Sequence, residues 1–175
     1  IYRSERPLEG SDDVPLSEWE LASRLSYFLW SSLPDEELRR AAAEGELADP
    51  AQLKRQVNRL LRDPKSRRLS AEFFGQWLGF YRFDRYRGVD SERFPEFTDR
   101  LKSSMYQEAV TFFDYLIRKD RPLREILFAD YAFLDRALGE HYGVDPDRIS
   151  DVAFSRVDGA RRYQRGGLFG LGAVL

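Results

Sequence analysis

The chain has 175 residues, a mass of 20.5 kDa, a formal net charge of −2 and no cysteine. The missing cysteine excludes disulfides, Cys-ligated metals and covalent haem attachment within it, and the near-neutral balance implies no polyanion partner. A composition of 42% hydrophobic and 33% charged residues is that of a globular chain rather than a disordered one. At this length one domain, or one plus a fragment, buries roughly 70% of its extended surface. Its 13 Phe, 9 Tyr and 3 Trp predict a core built from large rings.

Residues 1–15 read as an irregular lead-in rich in Gly, Pro, Ser and charge. The first helix starts at Ser17, which forms a capping box with Glu20, and Leu16 and Leu21 are spaced as a hydrophobic staple. Leu21, Leu25, Phe28 and Leu29 form its apolar stripe, widened by Trp19, Ala22, Ser26 and Trp30. Pro34 ends this helix and is suited to open the next, with Asp35, Glu36 and Glu37 at the favourable end of the dipole. Asp49 and Pro50 open a third helix striped by Leu53, Val57, Leu60 and Leu61. Asp63 and Pro64 repeat the device for a fourth, striped by Leu69, Phe73, Trp77 and Phe80, which is expected to be central.

The charged, aperiodic run 82–94 reads as a long loop. Pro95 opens the longest helix, about 95–119, with Leu101, Met105, Phe112 and Leu116 as its stripe. DRPLREILFADYAF reads as turns, and a helix follows over about 134–142, ending at Gly143. Val152, Phe154 and Val157 alternate weakly, as a short strand or an extended arm would. No apolar run of about eighteen residues suggests a transmembrane segment, and no internal repeat suggests a solenoid. The fold expected is all-α, an irregular bundle of six or seven helices with an extended C-terminal arm.

Candidates for chemistry are few. His141 is the only histidine, readable as an acid–base group or an axial ligand to a partner's haem. The simpler reading is a helix C-terminal histidine placed against the dipole beside Tyr142. One histidine and no cysteine do not make a zinc site. Glu20, Glu72, Glu108 and Asp114 echo the carboxylates of four-helix metal sites, but the Glu-x-x-His pairs those sites use are missing. No nucleophile elbow is present, and GGLFGLG lacks the lysine of a phosphate loop. The basic run Lys54, Arg55, Arg59, Arg62, Lys65, Arg67 and Arg68, and the tract Arg161, Arg162, Tyr163 and Arg165, read as solvated helix faces and an arm gripping its own domain. No nucleic-acid partner is expected. Arg24 lies within apolar LASRLSYFLW, where burial demands a partner. It is either exposed on a polar flank or paired with Glu72 or Glu108 as a clamp between helices, the pairing being favoured. No catalytic residue and no metal ligand set is assigned; Arg24, Glu72, Glu108 and His141 are the binding candidates.

The segments ELASRLSYFLWSSLPDEEL, DPKSRRLSAEFFGQWL, FADYAFLDRALGEHYGV and RGGLFGLGAVL together resemble one family. It is the uncharacterised planctomycete-type helical domain of large bacterial proteins that also carry c-type cytochrome domains. The resemblance implies a helical domain over 1–160 and, in 161–175, the start of a following domain or an extended arm. IYRSERP and GGLFGLGAVL accordingly read as a chain that begins and ends in mid-protein. It implies no activity that transfers residue by residue. What it does imply is context: a periplasmic or cell-surface protein, no cofactor in this chain, and haem on a companion domain. Partners would be other domains of the same polypeptide or a c-type cytochrome. The function expected is therefore a non-catalytic scaffold or interaction domain. The alternative is one part of an oxidoreductase or hydrolase whose site neighbouring domains complete.

Overall fold

The computed structural model describes residues 16–90, 92–150 and 154–174; the lead-in 1–15 and Val152 of the weak alternation lie outside the described residues. Among the described residues helix dominates, and strand is confined to two four-residue pieces, so the protein is an irregular helical bundle. The chain divides into two compact units, one ending at Asp63 and the other beginning at Pro64.

The first unit holds α1 (Glu18–Trp30), α2 (Glu36–Ala43) and α3 (Pro50–Arg62). The capping box forms: Ser17 N–H donates to Glu20 Oε2 at 2.9 Å, and Glu20 N–H donates to Ser17 Oγ at 3.3 Å. Ser31, at φ 51°, ends α1 in the left-handed region. Pro34 does not open α2. Asp35 takes the cap, accepting from Leu38 N–H at 3.0 Å, because its carboxylate can satisfy an amide that proline cannot. Asp49 caps α3 from Ala51 N–H at 3.0 Å, with Pro50 as the first helical residue.

The buried face of α1 is rotated from the stripe the sequence suggests. Ala22, Ser26, Leu29 and Trp30 are buried, whereas Phe28 is 54% exposed. Trp30 decides this, because its indole is almost fully buried and donates Nε1–H to the Leu60 carbonyl at 2.9 Å. Small Ala22 and Ser26 lie at four-residue steps before it and share its face.

In the second unit a 3-10 turn, Pro64–Ser66, leads into α4 (67–77), where α geometry over Arg67–Leu69 and Gly75–Trp77 flanks a π segment, Ser70–Phe74. The wider π turn slips the register by part of a turn. Leu69 and Phe80 are buried as expected, but Phe73 is 43% and Trp77 64% exposed. Phe74 turns inward instead and stacks on Phe113, ring centroids 4.2 Å apart. α5 (Asp99–Arg118) begins after Thr98, whose hydroxyl accepts from Leu101 N–H at 3.2 Å; Pro95 lies upstream and does not open it.

The stretch read as turns contains α6 (Glu125–Phe128) and β1 (Tyr131–Leu134), and α7 (Arg136–His141) follows under an Asp135 cap. β1 pairs antiparallel with β2 (Ser155–Asp158), Tyr131 opposite Asp158 and Leu134 opposite Ser155. All four β1 residues are buried, so no alternation marked the strand. The arm beyond β2 is not free: it folds back through 3-10 turns at Ala160–Tyr163 and Leu168–Gly170, and Leu171 and Ala173 join the core around Phe112, Phe113 and Leu138. Gly166 and Gly167 hold φ of 98° and 63°, where a Cβ would come 2.6 Å from the Ala129 carbonyl and 2.5 Å from that of Leu127.

Candidate functional site

α5 carries Met105, Phe112 and Leu116 on its core face, and helical spacing puts Glu108 on that face too. The carboxyl is 0% exposed. Its Oε2 accepts the Tyr142 hydroxyl at 2.8 Å and the Gly172 N–H at 3.2 Å, while buried Oε1 has no hydrogen-bond partner. Tyr142 stands at the end of α7, which Asp135 caps and ties to α5 through Ser104 Oγ at 2.7 Å. The Arg165 guanidinium lies 3.8 Å from the centre of the Tyr142 ring. Three elements thus converge on one carboxyl: α5, the end of α7, and the C-terminal segment.

Burial pushes the Glu108 carboxyl up to about 8, since an ion without water is costly there. The Tyr142 and Gly172 hydrogen bonds and the charge of Arg165 pull the other way, and Asp135 adds to the rise. The Tyr142 hydroxyl is raised as well, by its own burial first and then by Glu108. Chemically the cluster can hold a proton on Glu108 at neutral pH while the other oxygen accepts two hydrogen bonds.

The other candidates lie elsewhere. Arg24 is exposed on α1 in the first unit, one of the two placements read from its sequence. Glu72 is half-buried in the π segment, where Gln76 Nε2 reaches its Oε2 at 3.5 Å. His141 is exposed at the end of α7, its ring tilted against Tyr142. It borders an open hollow of about 490 Å3 with Glu96, Arg100, Arg136 and Glu140. Asp114 is paired with Arg118 at 2.8 Å. Among the described residues no group of three or more His, Cys, Asp or Glu side chains could hold a metal ion, and no helix is long and apolar enough to cross a membrane.

Four arginines of the basic runs are held by residues of their own unit. Arg59 forks onto Asp35 at 2.6 and 3.0 Å, and Arg67 donates to Gln107 and Thr111 at 2.8 and 3.0 Å. Arg161 donates to the Phe128 carbonyl at 2.5 Å, and Arg162 to that of Gly159 at 3.0 Å. Sequence reasoning named Glu108 only as a possible partner of Arg24 and an echo of a carboxylate site, and did not connect it with Tyr142, Arg165 or Gly172. Their signal is weak, because nothing local marks a backbone amide 64 residues away as a carboxylate's partner.

No curated protein and no solved structure matches the chain. A family model described as PSD4, a protein of unknown function (DUF1592), matches residues 16–144, a span that includes Glu108 and Tyr142 but stops short of Arg165 and Gly172. That match covers well over half of the sequence, and the chain belongs to the DUF1592 family.

Proposed function

We propose that this chain is a non-catalytic helical scaffold, an interaction domain of a larger exported protein of planctomycete type. Haem would be carried on a companion c-type cytochrome domain, and the setting would be the periplasm or cell surface. The observation that supports the reading best is the pair Phe73 and Trp77. They lie four residues apart on α4, 5.9 Å between ring centroids, and both are exposed. Large rings held at a surface are characteristic of interfaces, where they supply contact area at little conformational cost. Phe74 behind them is stacked on Phe113, which gives the pair a rigid backing. The partner would be another domain of the same polypeptide or a c-type cytochrome.

The test uses the complete polypeptide. Its visible spectrum should show a haem band that responds to electron donors, and absence of the band defeats the cytochrome association. Phe73→Ser with Trp77→Ser should weaken cross-linking between this domain and its neighbours by about tenfold or more, as loss of an aromatic anchor does. Unchanged cross-linking defeats the interaction role. A second reading, one side of an oxidoreductase or hydrolase site, draws on the hollow beside His141. Under that reading His141→Ala abolishes a donor-dependent or hydrolytic activity of the complete polypeptide; under the scaffold reading it changes none.

A further inference from the structure

Residues 165–174 resemble neither a loose arm nor a phosphate loop in the way they are held. They close over α5 and the end of α7, and the fit is made by close backbone approach. Leu171 and Ala173 are buried on either side of Gly172. A Cβ on Gly172 would collide with the Tyr142 hydroxyl and come 2.9 Å from Met105 Cγ. The Gly172 N–H can therefore reach the Glu108 carboxyl at 3.2 Å, beside the Tyr142 hydroxyl at 2.8 Å. Arg165, at the start of the segment, stacks over the same tyrosine. One fully buried carboxyl thus receives a hydrogen bond from the segment and another from the helix the segment covers.

From this geometry we infer that residues 165–174 form a proton-controlled strap, docked on the helical core while Glu108 is neutral and released as Glu108 ionises. The charged and titratable groups around the carboxyl are Tyr142 and Asp135 at the two ends of α7 and Arg165 on the strap. Only Arg165 carries a countercharge, and it lies over the tyrosine ring; Glu108 Oε1 receives no hydrogen bond. A negative charge at Glu108 is therefore poorly compensated. When the strap lifts, water reaches the carboxyl and its ordinary value returns. The docked value is raised from 4.5 to about 8, so docking is at full strength below the lower figure, weakens as pH climbs between the two, and levels off above the higher one.

The test is amide hydrogen exchange of Gly172 in the full chain, expressed as a protection factor so that the intrinsic pH dependence cancels. Protection of Gly172 relative to Phe112 in α5 should fall by about tenfold or more from about pH 5 to about pH 8. In Glu108→Gln, which keeps an acceptor and the volume but cannot ionise, the ratio should stay flat. Tyr142→Phe removes a hydrogen bond that lowers the docked carboxyl, so the upper end of its transition, where the ratio levels off, should move to higher pH. Gly172→Ala should leave the segment unprotected at every pH. A flat wild-type ratio, or a Glu108→Gln ratio that falls as the wild type's does, overturns the inference; so does an unmoved upper end of the transition in Tyr142→Phe.

Discussion

At the scale of single residues the protein's chemistry gathers at Glu108. Removing the carboxyl leaves the buried Tyr142 hydroxyl and the part-buried Gly172 amide without their acceptor, at about 1–3 kcal/mol each. Glu108→Ala is therefore expected to lower stability by about 3 kcal/mol, read as a shift of the urea midpoint. Glu108→Gln should do the opposite at alkaline pH. The folded carboxyl is raised to about 8, so the neutral form is what the fold favours, and its contribution is lost as pH rises from 4.5 toward that value. The stability difference between Glu108→Gln and wild type should grow in favour of the variant by up to about 1.4 kcal/mol per pH unit across that window. Asp99 and Glu125, held below the usual carboxylate range by Lys102 and Arg121 first, act in the opposite direction at acid pH. Comparing the two proteins cancels them. Glu108 was named from the sequence only as one of four helix carboxylates and a possible partner of Arg24, although helical spacing also puts it on the Met105–Phe112 stripe. Its partners were not legible, because they come from two other elements.

At the scale of elements, caps decide where helices begin and side-chain identity decides which face is buried. Asp35 caps α2 and receives both arms of Arg59, whose guanidinium is held above its ordinary value chiefly by that bond. Asp35→Ala should cost about 1–2 kcal/mol from cap and pair together, and Asp35→Asn less than half of that, since the amide still caps. Thermal unfolding of the two variants checks the order. Capping at Ser17 and Asp49 was readable from sequence because it is local, each acting within three residues. The stripes of α1 and α4 were readable only in part. A period assumes uniform helix, and the π segment Ser70–Phe74 breaks that assumption without a sequence mark of its own. Its consequence is that Phe74 rather than Phe73 meets Phe113 and, through it, Phe80 at 6.0 Å. Phe113→Ala should cost about 3–5 kcal/mol, measured by chemical denaturation.

For the molecule as a whole, the core of the second unit is assembled from residues of that unit alone, from Ala71 through Phe112 and Leu138 to Val174. Residues 64–175 expressed without the first unit are therefore expected to fold cooperatively. Far-ultraviolet circular dichroism and a single sigmoidal urea transition would show it, whereas a non-cooperative transition would mean that the core is incomplete. The same logic gives the C-terminal segment its place. With Leu171 and Ala173 in the core, truncation after Arg165 should lower stability by several kcal/mol on the scale of about 25 cal/mol per Å2 of apolar surface uncovered.

The sequence by itself determined the helical class, the caps at Ser17 and Asp49, and the poverty of nucleophiles and metal ligands. These follow from composition and from spacings of a few residues, where backbone geometry leaves little choice. Tertiary structure alone decided that YAFL is a strand, that Phe73 and Trp77 face outward, and that the glycine-rich segment is held by Glu108. Each of these depends on contacts between residues far apart in the chain. The buried carboxyl and the amide that meets it are 64 residues apart, and only the folded core brings them within a hydrogen bond.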